Sequence, residues 1–210
     1  MVTVRSDEER VLSIINFFTD YKFYILSVVL VITISVGGYF FSEKVKSNQI
    51  QAAKVLYEDW QVTLVQEDRE ELFQNLTENY SDTGYSHLAL LKRGSDLAKE
   101  NNLEESIDVF YRLKENSDGF FGNSLINGIA RTNIARILIA LEKFEDALAV
   151  LEKYSSDEDP YTHELKGDAL SGAGKDDLAL QQYQIAFEKY TDSGLRNLVE
   201  LKINNLNLNE

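Results

Sequence analysis

Two histidines, His87 and His163, are the residues of this chain best suited to chemistry near neutral pH. Imidazole acts as a general base or as a zinc ligand, and both roles need partner residues at defined spacings. Neither histidine lies in an H-E-x-x-H sequence, and the chain contains no cysteine. We therefore predict that both are surface or hairpin-packing residues, and that the protein holds no metal or other cofactor.

The segment Gly172-Ala-Gly-Lys175 is similar to the end of a phosphate-binding loop. That loop requires a glycine five residues before its Gly-Lys pair and a serine or threonine directly after it. Ala169 and Asp176 occupy these two places, so we interpret the segment as a turn between helices. No serine, histidine and acidic residue form a recognisable nucleophile motif either. The sequence therefore predicts a protein that is not an enzyme.

Residues 23–42 form a long segment without charge, unlike the rest of the chain. As a helix, these 20 residues extend roughly 30 Å, the thickness of the hydrocarbon core of a bilayer. A cleavable secretory signal is the alternative, because Ser35 and Gly37 suit a signal peptidase; against it, the leader is long and acidic. We predict a transmembrane helix over 23–42, with a short segment 1–22 before it and one domain, 43–210, after it.

The segment before this anchor has apolar residues at helical spacing between Val11 and Phe18. It predicts a helix that either lies on the membrane surface or extends the transmembrane helix. The basic residues that would set the orientation are equal in number on the two sides, so they do not orient the chain. They are Arg5, Arg10 and Lys22 before the anchor, and Lys44, Lys46 and Lys54 after it.

The domain after the anchor is strongly acidic. Residues 43–210 contain 31 acidic and 18 basic residues, which leaves a net charge of −13. A surface of this sign repels phosphate groups, so nucleic acid and anionic lipid are excluded as partners of this domain.

Three segments after residue 90 share an order of small and large residues at matching offsets. In each, two small residues are twelve positions apart and a large residue follows four positions later. The small residues let the two helices of a hairpin approach, and the large residue fills the groove beside their crossing. The matching columns are Gly94, Leu97, Asn101, Ser106, Phe110 and Leu113; Ala135, Leu138, Glu142, Ala147, Leu151 and Tyr154; and Gly167, Leu170, Gly174, Ala179, Tyr183 and Ala186.

This pattern resembles the tetratricopeptide repeat, whose period is about 34 residues. The intervals here are 41 and 32 residues, so we predict an insertion at 116–124 in the first. Generic antiparallel helices that share small residues by chance are the alternative. The predicted fold class is all-α: a single N-terminal transmembrane helix followed by a tetratricopeptide-repeat-like α-solenoid.

Other helices are expected on both sides of the three repeats. Residues 49–80 predict a degenerate helix pair with a break at 67–70, and residues 193–206 predict a closing helix. Asp159-Pro160 predicts a helix start, because an acidic N-cap accepts hydrogen bonds from the first amides and proline is tolerated in the first turn.

The first helices of stacked hairpins line a concave groove that binds peptides or helices. A second possibility is that this face is buried by a partner domain or is not used. The residues predicted to face the groove are Leu91, Ser95, Ala98, Thr132, Arg136, Ile139, Glu164 and Asp168.

Several stretches spread over nearly the whole chain share their residue order with one known family. They are Phe17-Phe18 with Tyr21-Lys22, Tyr85-Ser-His-Leu-Ala-Leu90, Asn102-Leu-Glu-Glu-Ser-Ile107, Leu165-Lys-Gly-Asp-Ala-Leu-Ser-Gly-Ala-Gly-Lys175 and Leu201-Lys-Ile-Asn-Asn-Leu206. Through them the chain resembles the YfgM family, ancillary subunits of the bacterial SecYEG translocon. It departs from that family at Phe120-Phe121, within the insertion, and in the four residues 207–210 at its end.

The resemblance implies a single-pass protein of the bacterial inner membrane with a cytoplasmic N-terminus and a periplasmic C-terminal domain. It implies a complex with SecYEG and with PpiD, a membrane-anchored periplasmic chaperone of the isomerase class. The expected function is that of a scaffold and co-chaperone for exported client proteins. The alternative is an envelope regulatory or assembly adaptor with a different protein partner, for which residues 1–22 would be a second contact site.

Overall fold

The computed structural model describes residues 7–119, 122–152 and 159–208, and within them all regular structure is helical. Phe120, Phe121 and residues 209–210, which belong to the two predicted departures from the family pattern, lie outside the described residues. The helices are α1 (Asp7–Asp20), α2 (Lys22–Val62), α3 (Gln66–Asn79), α4 (Gly84–Lys99), α5 (Leu103–Asn116), α6 (Ser124–Ala140), α7 (Phe144–Glu152), α8 (Pro160–Gly172), α9 (Asp176–Lys189) and α10 (Ser193–Asn207).

The chain divides into two compact units, Met1–Ala52 and Ala53–Glu210. In the first unit, α2 is long and apolar enough to cross a membrane by length and composition, and its apolar window is entirely exposed. This exposure sets it apart from the core helix of a soluble protein, whose apolar residues would be buried. The described part of the first unit therefore contains one candidate membrane span, at the place where the sequence predicts it.

The helix predicted before the anchor is present as α1, and the chain bends at Tyr21 between α1 and α2. The Tyr21 amide donates to the Phe17 carbonyl at 3.0 Å at the end of α1, and the Ile25 amide donates to the Tyr21 carbonyl at 2.9 Å at the start of α2. Both bonds are compatible with a change of direction at this bend. Whether α1 lies on the membrane surface or extends the transmembrane helix therefore stays a prediction.

The second unit is built from three helical hairpins, α4 with α5, α6 with α7 and α8 with α9. The predicted close approach of small residues is present: the Ser106 hydroxyl donates to the Gly94 carbonyl at 2.7 Å, from one helix to the other. A Cβ on Gly94 would lie 2.9 Å from the Phe110 ring, so that ring occupies the space the glycine leaves. Gly167 is covered by the Tyr183 ring in the same way. The column pattern read from the sequence therefore describes the crossings of the first and third hairpins, while Tyr154, a column residue of the second, lies outside the described residues.

The three hairpin turns also share one geometry. Each first helix is followed by a residue in the left-handed region, with φ of 61° at Asn101, 59° at Glu142 and 70° at Gly174. The next residue donates its amide to a carbonyl five positions back, the bond that defines a Schellman cap. These bonds are Asn102 to Leu97 at 2.9 Å, Lys143 to Leu138 at 2.8 Å and Lys175 to Leu170 at 2.9 Å. The matching columns of the sequence thus reflect a repeated structural unit.

Further helices pack on the two ends of the three hairpins. At one end Trp60 near the end of α2 packs against Phe73 of α3, with ring centroids 5.7 Å apart, and both are buried. At the other end α10 packs against α9 through the buried residues Val199 and Leu206. The predicted helix pair within 49–80 and the predicted closing helix are both present.

The predicted break at 67–70 is wrong. Helix α2 ends at Val62 and α3 begins at Gln66, so the break lies at residues 63–65. Glu67 and Asp68 lie in the first turn of α3, where negative charge is favoured by the exposed amides and the helix dipole. These acidic residues therefore start a helix and do not form a loop.

The predicted helix start at Asp159-Pro160 is confirmed. The Asp159 carboxylate accepts hydrogen bonds from the amides of Tyr161 and Thr162, both at 3.2 Å, and Pro160 is the first residue of α8. This cap fixes where α8 begins, and so which of its residues share a face with α6.

Candidate protein-binding face

The first helices of the hairpins form one continuous face. Helix α6 packs against both α4 and α8, so α4, α6 and α8 lie side by side in that order. In stacked hairpins the first helices line the inner, concave side. We call the surface of these three helices that is turned away from their second helices the inner face.

Several predicted groove residues lie partly below this surface. Leu91, Ala98 and Ile139 are half-buried and pack against the main core. Ser95 is half-buried, and its hydroxyl donates to the Leu91 carbonyl of its own helix at 2.7 Å. These residues contribute a shallow, mostly apolar floor and offer few hydrogen-bonding groups to a ligand.

The structure corrects the prediction at Thr132. Its side chain is buried, with 9% of its surface exposed, and its hydroxyl donates to the Gly128 carbonyl at 3.1 Å. Helix α6 lies between α4 and α8, and both neighbours pack against it. A side chain at this position is therefore covered on α6, although the same position would be exposed on a helix with one neighbour. Thr132 therefore does not line the inner face.

The residues that do project from α4 and α6 are larger. Arg136, one of the predicted groove residues, is exposed. Leu88 and Leu125, which the sequence analysis missed, are 47% and 68% exposed. Leu88 lies three residues before Leu91 and Leu125 eleven residues before Arg136, so helical periodicity places each on the same side of its helix as that residue. That periodicity was the signal available in the sequence.

Glu164 and Asp168, predicted to face the groove from α8, are hydrogen-bonded by a lysine of α10. The Lys202 ammonium of α10 donates to Glu164 at 2.7 Å and to the two carboxylate oxygens of Asp168 at 2.6 and 2.8 Å. The Tyr190 hydroxyl donates to Glu164, and the Tyr183 hydroxyl donates to Asp168, both at 2.8 Å. We call these five residues the Lys202 network.

The Lys202 network shifts the pKa of three of its members upward. Burial, together with the neighbouring carboxylates, raises the pKa of Tyr183 and of Tyr190 far above the usual range of a phenol. Burial acts to lower the pKa of Lys202, but the hydrogen bonds to Asp168 and Glu164 outweigh it and raise this pKa. At neutral pH the lysine is therefore charged and both tyrosines are neutral. The network fastens α10 to α8 and closes this end of the inner face.

Both histidines are hairpin-packing residues, one of the two roles predicted for them. His87 lies with its Nε2 atom 3.3 Å from the Asn116 carbonyl oxygen of the same hairpin, and burial lowers its pKa. His163 lies with its Nδ1 atom 2.9 Å from the Gln182 side-chain oxygen, again within one hairpin. In the part of the chain that the structure describes, no group of three or more potential ligands could hold a metal ion.

A cleft of about 540 Å³ lies between α7, α8 and α9, away from the inner face. Lys175 and Glu145 form an ion pair across its rim at 2.7 Å, and both side chains are largely exposed. Its lining mixes aliphatic and charged side chains and contains no cluster of polar groups aimed at one point. The lining residues are Glu145, Leu148, Ala149, Glu152, Lys166, Leu170, Lys175, Leu178 and Gln182.

Comparison with known proteins agrees with this architecture. The family model of the tetratricopeptide repeat-like domain matches residues 16–208. No curated protein and no solved structure matches the chain. The match extends over the candidate span as well as the hairpins.

Proposed function

Because the chain belongs to the tetratricopeptide repeat-like domain family, we propose that it is a scaffold that binds other proteins through its helical hairpins. It acts, in this proposal, as a membrane-anchored ancillary subunit of the Sec translocon and assists exported proteins on the periplasmic side. The translocon assignment rests on the resemblance to the YfgM family carried by residues such as 85–90 and 165–175. The proposed partners are SecYEG, PpiD and exported client proteins.

The observation that carries the binding proposal is the composition of the inner face on α4 and α6. Leu88 and Leu125 project from neighbouring helices, and Arg136 projects from α6. A partner with apolar side chains buries the two leucines, and its carbonyl or carboxylate oxygens accept hydrogen bonds from the guanidinium. Apolar contact and hydrogen bonding are therefore the interactions that this face offers to a partner.

The candidate span in α2 is the physical basis for the proposal that the protein acts at a membrane. A membrane tether confines the domain to a thin layer of volume and raises its effective concentration near other membrane proteins. Weak binding by a shallow face is then sufficient for a lasting association. We propose that the span is retained, with a cytoplasmic N-terminus and the second unit in the periplasm, in the bacterial inner membrane.

The experiment that tests this function is photo-crosslinking in intact cells. A photoreactive amino acid replaces Leu88 or Arg136 on the inner face, and Asp108, an exposed residue of the second helix α5, serves as the matched control. We expect adducts with SecYEG subunits, with PpiD or with many exported chains from the two inner-face probes and not from position 108. A single unrelated envelope protein as the adduct would replace the translocon proposal by the adaptor alternative.

A second experiment tests the anchor. Residues 23–41 are replaced by a cleavable secretory signal, so that the domain is released from the membrane. We expect the wild-type chain to remain with the membrane after alkaline carbonate extraction and the released form to lose association with the translocon. Equal co-purification of the two forms would show that the span does not contribute to the association.

A further inference from the structure

Helix α10 has two apolar sides, one buried and one exposed. Val199 and Leu206 are buried against the preceding hairpin. On another side, Leu198 and Leu201 of α10 and Leu208, the residue directly after it, are 54%, 59% and 82% exposed. At 3.6 residues per turn these three leucines form one stripe, which we call the leucine stripe of α10.

The packing of α10 explains why such a stripe is unusual. It packs against α9 and reaches α8 through Lys202, as a first helix of a fourth hairpin would do. In a complete hairpin, the free side of the first helix is covered by a second helix. The helix that ends a solenoid usually has a polar outer side for the same reason. Among the described residues, no helix covers the leucine stripe, so its apolar side chains are open to a helix of another molecule.

Amide side chains lie on the stripe and at one edge of it. At 3.6 residues per turn Asn205 falls between the leucines and Asn204 lies next to them, and both are exposed. At the other edge Lys202 is held by its hydrogen bonds to Glu164 and Asp168. Amide side chains allow another helix to approach without bringing like charges together or removing a charge from water. The stripe is therefore suited to a helix that lies along α10 in the position that a second helix takes in the three hairpins.

The charge of the protein distinguishes between two occupants of this surface. The chain carries a net charge of −14, and most of that charge lies in the domain that contains α10. A second copy would bring two strongly acidic domains together, whereas a helix with basic residues beside its apolar side is attracted. The charge of the domain therefore favours a different protein over a second copy.

We propose that the leucine stripe of α10 docks a basic amphipathic helix of another protein, which completes the fourth hairpin. This surface is separate from the inner face of α4 and α6, so the chain has two protein-binding surfaces. The proposal does not depend on the identity of the translocon partners, since it follows from the packing, exposure and charge of α10.

The test uses the full chain in nanodiscs of neutral phosphatidylcholine and a fluorescent synthetic helix. The probe peptide has leucines along one side and lysines on the others, and a matched peptide has glutamates in place of the lysines. Binding is followed by fluorescence anisotropy, with empty nanodiscs as the background. We expect saturable binding of the lysine peptide and at least about tenfold weaker binding of the glutamate peptide.

Two double variants locate the binding site. Leu198→Gln with Leu201→Gln removes the stripe, and Leu88→Gln with Leu125→Gln removes two exposed leucines of the inner face. Glutamine keeps helix propensity, so both variants retain the helices, which circular dichroism checks. The stripe variant is expected to weaken binding of the lysine peptide about tenfold or more, and the inner-face variant to leave it unchanged.

Three results would overturn the proposal. Equal loss in the two double variants, or loss in neither, would show that the peptide binds elsewhere. Equal binding of the glutamate peptide would remove the charge argument. A dimer of the full chain in sedimentation that is abolished by the stripe variant would assign the surface to a second copy instead.

Discussion

The Lys202 ammonium on α10 donates a hydrogen bond to each carboxylate oxygen of Asp168 on α8, at 2.6 and 2.8 Å. This contact joins helices that are separated by α9 in the chain, and it lies at the end of the inner face. Because Lys202 also binds Glu164, one lysine compensates two partly buried carboxylates. The position of α10, and with it the exposed leucine stripe, depends on this contact.

Lys202→Met is therefore expected to destabilise the protein. The substitution leaves two carboxylates partly buried without a cation, which we expect to lower the free energy of unfolding by about 1–2 kcal/mol because the site is partly exposed. Thermal unfolding followed by circular dichroism measures this change. Lys143→Met, at an exposed hairpin turn, is the control and should alter stability by less than about 0.5 kcal/mol. An equal effect of the two variants would contradict the structural role of Lys202.

Stability should fall in alkaline solution. Tyr183 and Tyr190 have raised pKa values in the folded protein, whereas the unfolded chain loses their protons near pH 10.0. The folded state therefore binds more protons than the unfolded state above that pH, so stability is complete below about pH 10 and is lost as the pH rises further. Denaturation by urea at a series of pH values measures the slope. Tyr183→Phe should make the slope shallower, and an unchanged slope would contradict the raised pKa of that tyrosine.

Glu142→Gly is expected to stabilise the protein. Glu142 lies in the left-handed region, at φ 59°, where a side chain other than glycine is strained by about 1 kcal/mol. The equivalent turn residue of the next hairpin is Gly174, which meets no such cost at φ 70°. We expect the free energy of unfolding to rise by a few tenths to about 1 kcal/mol for Glu142→Gly and to fall by about 1 kcal/mol for Gly174→Ala. Changes of the same sign in both variants would refute the shared turn geometry.

Gly167→Ala should destabilise the third hairpin. The added methyl group would overlap the Tyr183 ring, which is itself held by its hydrogen bond to Asp168. Overpacking of this kind costs about 1–3 kcal/mol and exceeds the gain in helix propensity of about 1 kcal/mol. Chemical denaturation gives the difference from wild type. Gly84→Ala, where nothing lies within 4 Å of the new methyl group, is the matched control and should be neutral or stabilising.

Local sequence signals determined the elements of this protein. The uncharged segment 23–42 lies within α2, which is long and apolar enough to cross a membrane, since length and composition can be read directly from a sequence. Asp159-Pro160 marked the start of α8, because capping depends on residues within one turn. The paired small residues marked the hairpin crossings, because only a small side chain lets two backbones approach. These features were predictable because each depends on neighbours in sequence or on a fixed offset.

Only the tertiary structure decided which of these surfaces remain available. Thr132 occupies the same repeat position as the half-buried Leu91, yet it is buried because α6 has neighbours on both sides. Glu164 and Asp168 are charged residues of the kind that is usually exposed to solvent. Lys202, more than thirty positions later in the chain, donates hydrogen bonds to both of them. The leucine stripe of α10 became evident from its exposure alone, since its spacing is also that of a buried helix side. Exposure depends on contacts between residues far apart in sequence. Helical periodicity shows which residues share a side of a helix, but it does not show which side a distant helix will cover.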